Sequence, residues 1–100
     1  MGLEQFKKNV DAALQLLSKQ KKDDNTPLWL NERAIGGMAD AGLEQLPAET
    51  GFPLGAAAAR FIRISKEVAE ADGVAEKEQM EEAATALRTI AKIVGSLPTP

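Results

Sequence analysis

The chain has 100 residues, a net charge of −3, and neither cysteine nor histidine. That composition excludes a disulfide framework, a zinc–thiolate site and a thiol nucleophile, and it removes the commonest general base together with the commonest transition-metal ligand. No apolar run approaches the length of a membrane span, and the start "MGLEQFKKN" lacks a signal-peptide core and has Phe6 where a myristoylation signal wants Ser or Thr, so a cytoplasmic protein is expected.

Four aromatic residues are present, and alanine and leucine carry most of the apolar fraction. With no period-two alternation, this predicts an all-α chain forming a single domain over residues 1–100, built as a four-helix bundle. The first helix is expected near 3–18, where Leu3, Phe6, Val10, Ala13, Leu14 and Leu17 recur at three- and four-residue steps. The stretch 18–26, "SKQKKDDNT", has no apolar side chain and reads as an exposed linker. A second helix is expected near 27–45, entered through Thr26 and Pro27, with Leu28, Ile35, Met38, Gly42 and Leu46 on its inner line. Gly36-Gly37 weakens it by about 2 kcal/mol against alanine, and Asn31 offers a cap for a shorter helix.

Pro53 is expected to open a third helix, 53–71, with Leu54, Ala57, Ala58, Phe61, Ile64, Val68 and Ala71 inward. Asp72-Gly73 closes it, and a fourth helix follows near 75–95. The short connection makes these two an antiparallel hairpin. Residues 96–100, with two prolines, are expected to form a flexible tail.

The stretch "FPLGAAAARFIR" resembles the turn and recognition helix of sigma-factor-type helix-turn-helix domains. That resemblance implies a small DNA-binding regulator in which Arg60, Arg63 and Lys66 face phosphates. It covers about a dozen residues and offers only alanines to the base edges. Arg63–Glu67 and Lys66–Glu70 are spaced as i,i+4 ion pairs, which would occupy much of the basic charge locally.

The alanine run has a simpler use: small side chains let a neighbouring helix approach closely, with Ala57 and Ala58 inward and Ala56 or Ala59 exposed. Ile62, Ile93 and Leu16 fall off the inward stripes and suggest a seam for self-association, as a homodimer or larger oligomer. Trp29 reads either as a cap over the end of the core or as an exposed interface anchor. The acidic run Glu67–Glu82 lacks the ligand ladder of a calcium loop and the Glu-x-x-His pairs of a carboxylate di-metal site, so no metal or other cofactor is expected. Ser18, Ser65 and Ser96 lie outside any nucleophile motif, and "IGGMADAG" lacks the lysine and spacing of a phosphate loop, so an enzyme is not expected.

The expectation is therefore a protein–protein interaction module: an adaptor, inhibitor or assembly factor that binds or occludes a partner. Charge is uneven, +3 over residues 1–22, −5 over 23–59 and −1 over 60–100. The acidic middle favours a partner with a basic surface. Trp29, Glu32, Asp40, Glu44 and Ile62 are the candidate partner-binding residues.

Overall fold

A computed structural model describes residues 2–97, the side chain of Glu44 excepted. Among these residues the chain is helical without strands, and it holds three α-helices: α1 (Gly2–Lys19), α2 (Ala48–Glu70) and α3 (Lys77–Gly95). The expected four-helix bundle is therefore corrected to three helices and a packed connection. Among the described residues no helix is long and apolar enough to cross a membrane.

The helix expected at 27–45 does not form. Two short 3-10 turns, Glu32–Ile35 and Leu43–Gln45, stand in its place. Gly37 and Gly42 have φ of +91° and +72°, left-handed conformations that no right-handed helix can contain. Asn31 does act as a cap, its side chain accepting the Arg33 N–H at 2.9 Å, but for a single turn. Thr26 does not cap a helix; its N–H and hydroxyl both donate to Asp24 Oδ1, at 2.9 and 2.8 Å.

This connection is bound to the helices at both ends. The Asn9 amide of α1 donates to the Gly36 carbonyl at 3.0 Å. At the start of α1, a Cβ on Gly2 would stand 2.1 Å from the Asp40 carbonyl oxygen, so only glycine permits this approach. The stretch 18–26 is likewise held down: the Ala75 N–H donates to the Asn25 carbonyl at 2.8 Å, joining it to the start of α3.

Helix α2 begins at Ala48, not at 53, because the Thr50 and Gly51 N–H groups both close on the Pro47 carbonyl, at 3.0 and 2.7 Å. Pro53 then lies inside the helix, where its missing N–H leaves the Glu49 carbonyl to water on an exposed turn. The far end closes as a Schellman motif: Gly73 N–H to Val68 O at 2.8 Å and Asp72 N–H to Ala69 O at 3.2 Å. Asp72 itself occupies the left-handed position, with φ +59°. Four residues after Gly73 α3 starts, its entry fixed by the Glu76 N–H donating to Gln79 Oε1 at 2.9 Å.

The core lies between α1 and the α2–α3 hairpin. Phe6, Leu54, Phe61, Ile64, Leu87 and Ile90 are at most 1 % exposed, each burial favouring the fold by about 1.5–3 kcal/mol. Ala57 and Ala58 of α2 and Ala83, Ala84 and Ala86 of α3 are buried with them, whereas Ala56 and Ala59 face outward. Half of the alanine run thus serves close packing. At the C-terminus the Ser96 and Leu97 N–H groups bond back to Ile93 and Val94 at 3.2 and 3.1 Å, and Leu97 packs against the core. The first two residues of the expected tail are thus bonded back to α3; 98–100 lie outside the described residues.

Candidate functional site

The segment 20–29 organises the surface most suited to binding. Trp29 is 2 % exposed, with its ring centroid 6.5 Å from that of Phe61. Its indole N–H donates to Gln20 Oε1. The Gln20 amide in turn donates to the Asp24 carbonyl at 2.9 Å and to Met80 Sδ on α3 at 3.1 Å. One glutamine thus ties the end of α1, the connection and α3 together. The Asp24 carboxyl is held below the usual aspartate range, first by the Thr26 N–H, then by the Thr26 hydroxyl.

With Trp29 turned inward, the preceding side chain turns outward. Leu28 is 80 % exposed, although the periodicity placed it on an inner line. The helix that would have carried it inward is absent, and at a turn neighbouring side chains diverge. Three hollows surround it. One of about 270 Å³ runs over Ala12, Leu16 and Ala34, and one of about 290 Å³ runs over Leu16, Lys19 and Pro27. The third, about 480 Å³, lies against the C-terminal end of α2, at Ser65, Lys66, Val68 and Asp72. Leu16, 44 % exposed, extends the apolar surface. Lys19, Arg33 and Lys66 are balanced here by Asp24, Glu32 and Asp72, so the rim has no dominant sign.

On the other side of the Gln20–Trp29 bridge a cleft of about 390 Å³ separates residues 17–24 from α3. Leu17 and Met80 contribute apolar surface with the buried Trp29 and Ala84 behind them, and Lys21, Lys22, Lys77 and Arg88 stand exposed around it. A further apolar hollow, about 470 Å³, lies at the opposite end beside Met38, Leu43 and Leu46, next to Phe52, which is 78 % exposed.

The residues expected to meet a partner are dispersed. Trp29 is buried, which corrects its reading as an exposed anchor: the Gln20 bond and the Phe61 contact hold it in the core. Glu32 is exposed at the edge of the largest Leu28 hollow. Asp40 is exposed near the start of α1, and Ile62 is half-buried against the core; neither lines the hollows around Leu28. The Glu44 side chain lies outside what is described. Arg60 and Arg63 do not pair along their own helix. Both meet Glu82 of α3, at 3.6 and 2.8 Å, while Glu67 accepts from Gln79 at 3.3 Å. Lys66 is exposed. The turn required by the helix-turn-helix resemblance is also absent, since residues 48–70 run as one helix.

Sequence reasoning missed Leu28, Phe52 and Gln20. For Gln20 the sequence offers only an amide nine residues before a tryptophan that needs an acceptor, with Gln15, Asn25 and Asn31 as rivals; for Leu28 and Phe52 periodicity pointed the wrong way or was silent. The Ser65 hydroxyl, 5 % exposed, donates to the Ile62 carbonyl at 2.8 Å and is thereby occupied within its own helix. Among the described residues no three carboxylates gather where they could hold a metal ion. Comparison with family models, curated proteins and solved structures finds no match to this chain.

Proposed function

We propose that this protein is a small helical interaction module, an adaptor, inhibitor or assembly factor that binds another protein chain through the surface centred on Leu28. The observation that carries the reading is the 80 % exposure of a leucine standing between three hollows, with a second exposed leucine, Leu16, beside it. An apolar knob beside concavities suits a protein partner, because seating it removes water from the knob and from the hollow together. The mixed charge of the rim selects the partner by shape more than by sign, which weakens the expectation of a purely basic partner. A second copy of the chain is one such partner, and Leu28 replaces Ile62 as the centre of the self-contact.

The DNA-contact reading draws less support. Arg60 and Arg63 share one carboxylate, and the chain is net acidic.

The test is Leu28→Ser, compared with wild type by sedimentation velocity and by capture of partners from the host lysate on the tagged protein. Loss of self-association, or of a stoichiometric partner, at unchanged helicity supports the module and its surface. A variant that retains every contact of the wild type removes Leu28 from the binding surface and the reading with it.

A further inference from the structure

The cleft between residues 17–24 and α3 differs in charge from the hollows around Leu28. Its walls carry four cations against two carboxylates, Asp24 and Glu81, in a chain whose net charge is −3. Of the two acids, Asp24 already accepts two hydrogen bonds from Thr26, so it is turned to its own chain. The floor is apolar, from Leu17 and Met80 with the Trp29 ring behind them. We propose that this cleft binds an acidic segment of a partner protein, with an apolar side chain of that segment on the floor and its carboxylates against Lys21, Lys22, Lys77 and Arg88. The inference rests on the reading of the chain as a protein-binding module and adds a second face with a stated ligand chemistry.

The dimensions and charges favour a peptide over other polyanions. Lys77 and Arg88 mark the ends of three turns of α3, a span of about 17 Å, which matches a short helical or extended segment. A nucleic acid has no aliphatic side chain to seat on the apolar floor, so its contacts would be confined to the cationic rim. An acidic amphipathic peptide satisfies the rim and the floor at once. Steering by the four cations speeds the encounter with it.

Trp29 is the protein's one tryptophan and lies just behind the floor of the cleft, so its fluorescence responds to a side chain seated on Leu17 and Met80. The probe is a tryptophan-free peptide of about 12 residues, long enough to span the cleft as a helix, in which pairs of glutamates alternate with pairs of leucines. The expected result is a saturable change in Trp29 emission with a Kd of roughly 10–100 µM at low salt. The affinity should fall about tenfold as NaCl is raised from roughly 50 to 500 mM. The double variant Lys77→Glu with Arg88→Glu should bind at least about tenfold more weakly. Lys77 is the first residue of α3, where a glutamate suits the helix dipole, and Arg88 is exposed, so the double variant is expected to fold. An unchanged circular-dichroism melt confirms that.

Three results overturn the proposal: no emission change up to about 1 mM peptide, undiminished binding by the charge-reversed variant, or tighter binding of a single-stranded oligothymidine of equal charge. Leu28→Ser should leave peptide binding intact. If Leu28→Ser abolishes partner capture while the peptide fails to bind, the cleft proposal alone falls; if the peptide binds and Leu28→Ser changes nothing, the Leu28 surface alone falls.

Discussion

Replacing Gln20 by leucine should destabilise the fold more than replacing it by alanine, against the ordinary preference for filling space with apolar atoms. Gln20 accepts the indole N–H of a tryptophan that is 2 % exposed. Leucine fills the glutamine's volume and leaves that donor facing methyl groups, which costs about 1–3 kcal/mol for an unsatisfied buried donor. Alanine opens a gap toward the adjoining cleft, and a water entering there can accept the same proton, so the cost drops to roughly 0.5–1.5 kcal/mol. Both variants also lose the bonds to the Asp24 carbonyl and Met80. For a domain of this size, about 2 kcal/mol lowers Tm by roughly 8–16 °C. The assay is urea and thermal unfolding followed by circular dichroism and Trp29 emission together. Gln20→Leu as stable as wild type, or more stable than Gln20→Ala, would refute the argument that this bridge holds the connection to the helices.

Leu28→Ser should change stability by less than about 0.5 kcal/mol, since the side chain is already exposed; a large drop in Tm would mean that it packs into the core in solution. Asp72→Gly should stabilise by about 1 kcal/mol, because a non-glycine residue now occupies φ +59° at the end of α2; equal or lower stability in urea unfolding would count against the left-handed cap. The Asp24 carboxyl should titrate below the usual aspartate range by carbon-detected NMR, and Thr26→Val should move it back part of the way by removing the hydroxyl while leaving the N–H. With the folded-state value lowered, the stability contributed by this group is complete above the unfolded-state value and is lost as pH falls through the folded one; stability that rises on acidification through that window would contradict the assignment.

Helix existence was legible wherever an apolar stripe ran for several turns. Residues 3–18 and 75–95 correspond closely to α1 and α3, and the buried positions of α2 match the inward line from Leu54 to Val68. The failure at 27–45 came from adding weak signals: a cap, a proline and spaced apolar residues suggested a helix, but two glycines in left-handed conformations dissolve it. The start of α2 was hidden by Pro53, which reads as an opening residue and is tolerated inside because the affected carbonyl faces water. Cross-helix pairing was not legible. The charges of Arg63 and Glu67 are spaced to meet on one helix, yet each finds its partner on α3, and choosing between such exposed pairs involves well under 1 kcal/mol.

The adjacency of Leu28 and Trp29 also decides which variants can probe binding. Both candidate surfaces lie against the segment 20–29, and both include atoms of Gln20, Asp24 and Trp29. Trp29→Ala would remove a buried ring in contact with Phe61 and orphan the Gln20 acceptor, at about 3–5 kcal/mol, a large share of the 5–15 kcal/mol that holds a typical domain together. Such a variant should melt far below wild type and lose binding on both faces whichever one a partner uses. A loss of partner in Trp29→Ala therefore carries no information about the interface. Trp29→Ala melting within a few degrees of wild type would instead mean that the ring is not part of the core in solution, and the anchor role would return from Leu28 to Trp29. Leu28→Ser and the Lys77→Glu, Arg88→Glu pair each change exposed atoms on one side of the bridge, so their effects separate what the tryptophan variant would merge.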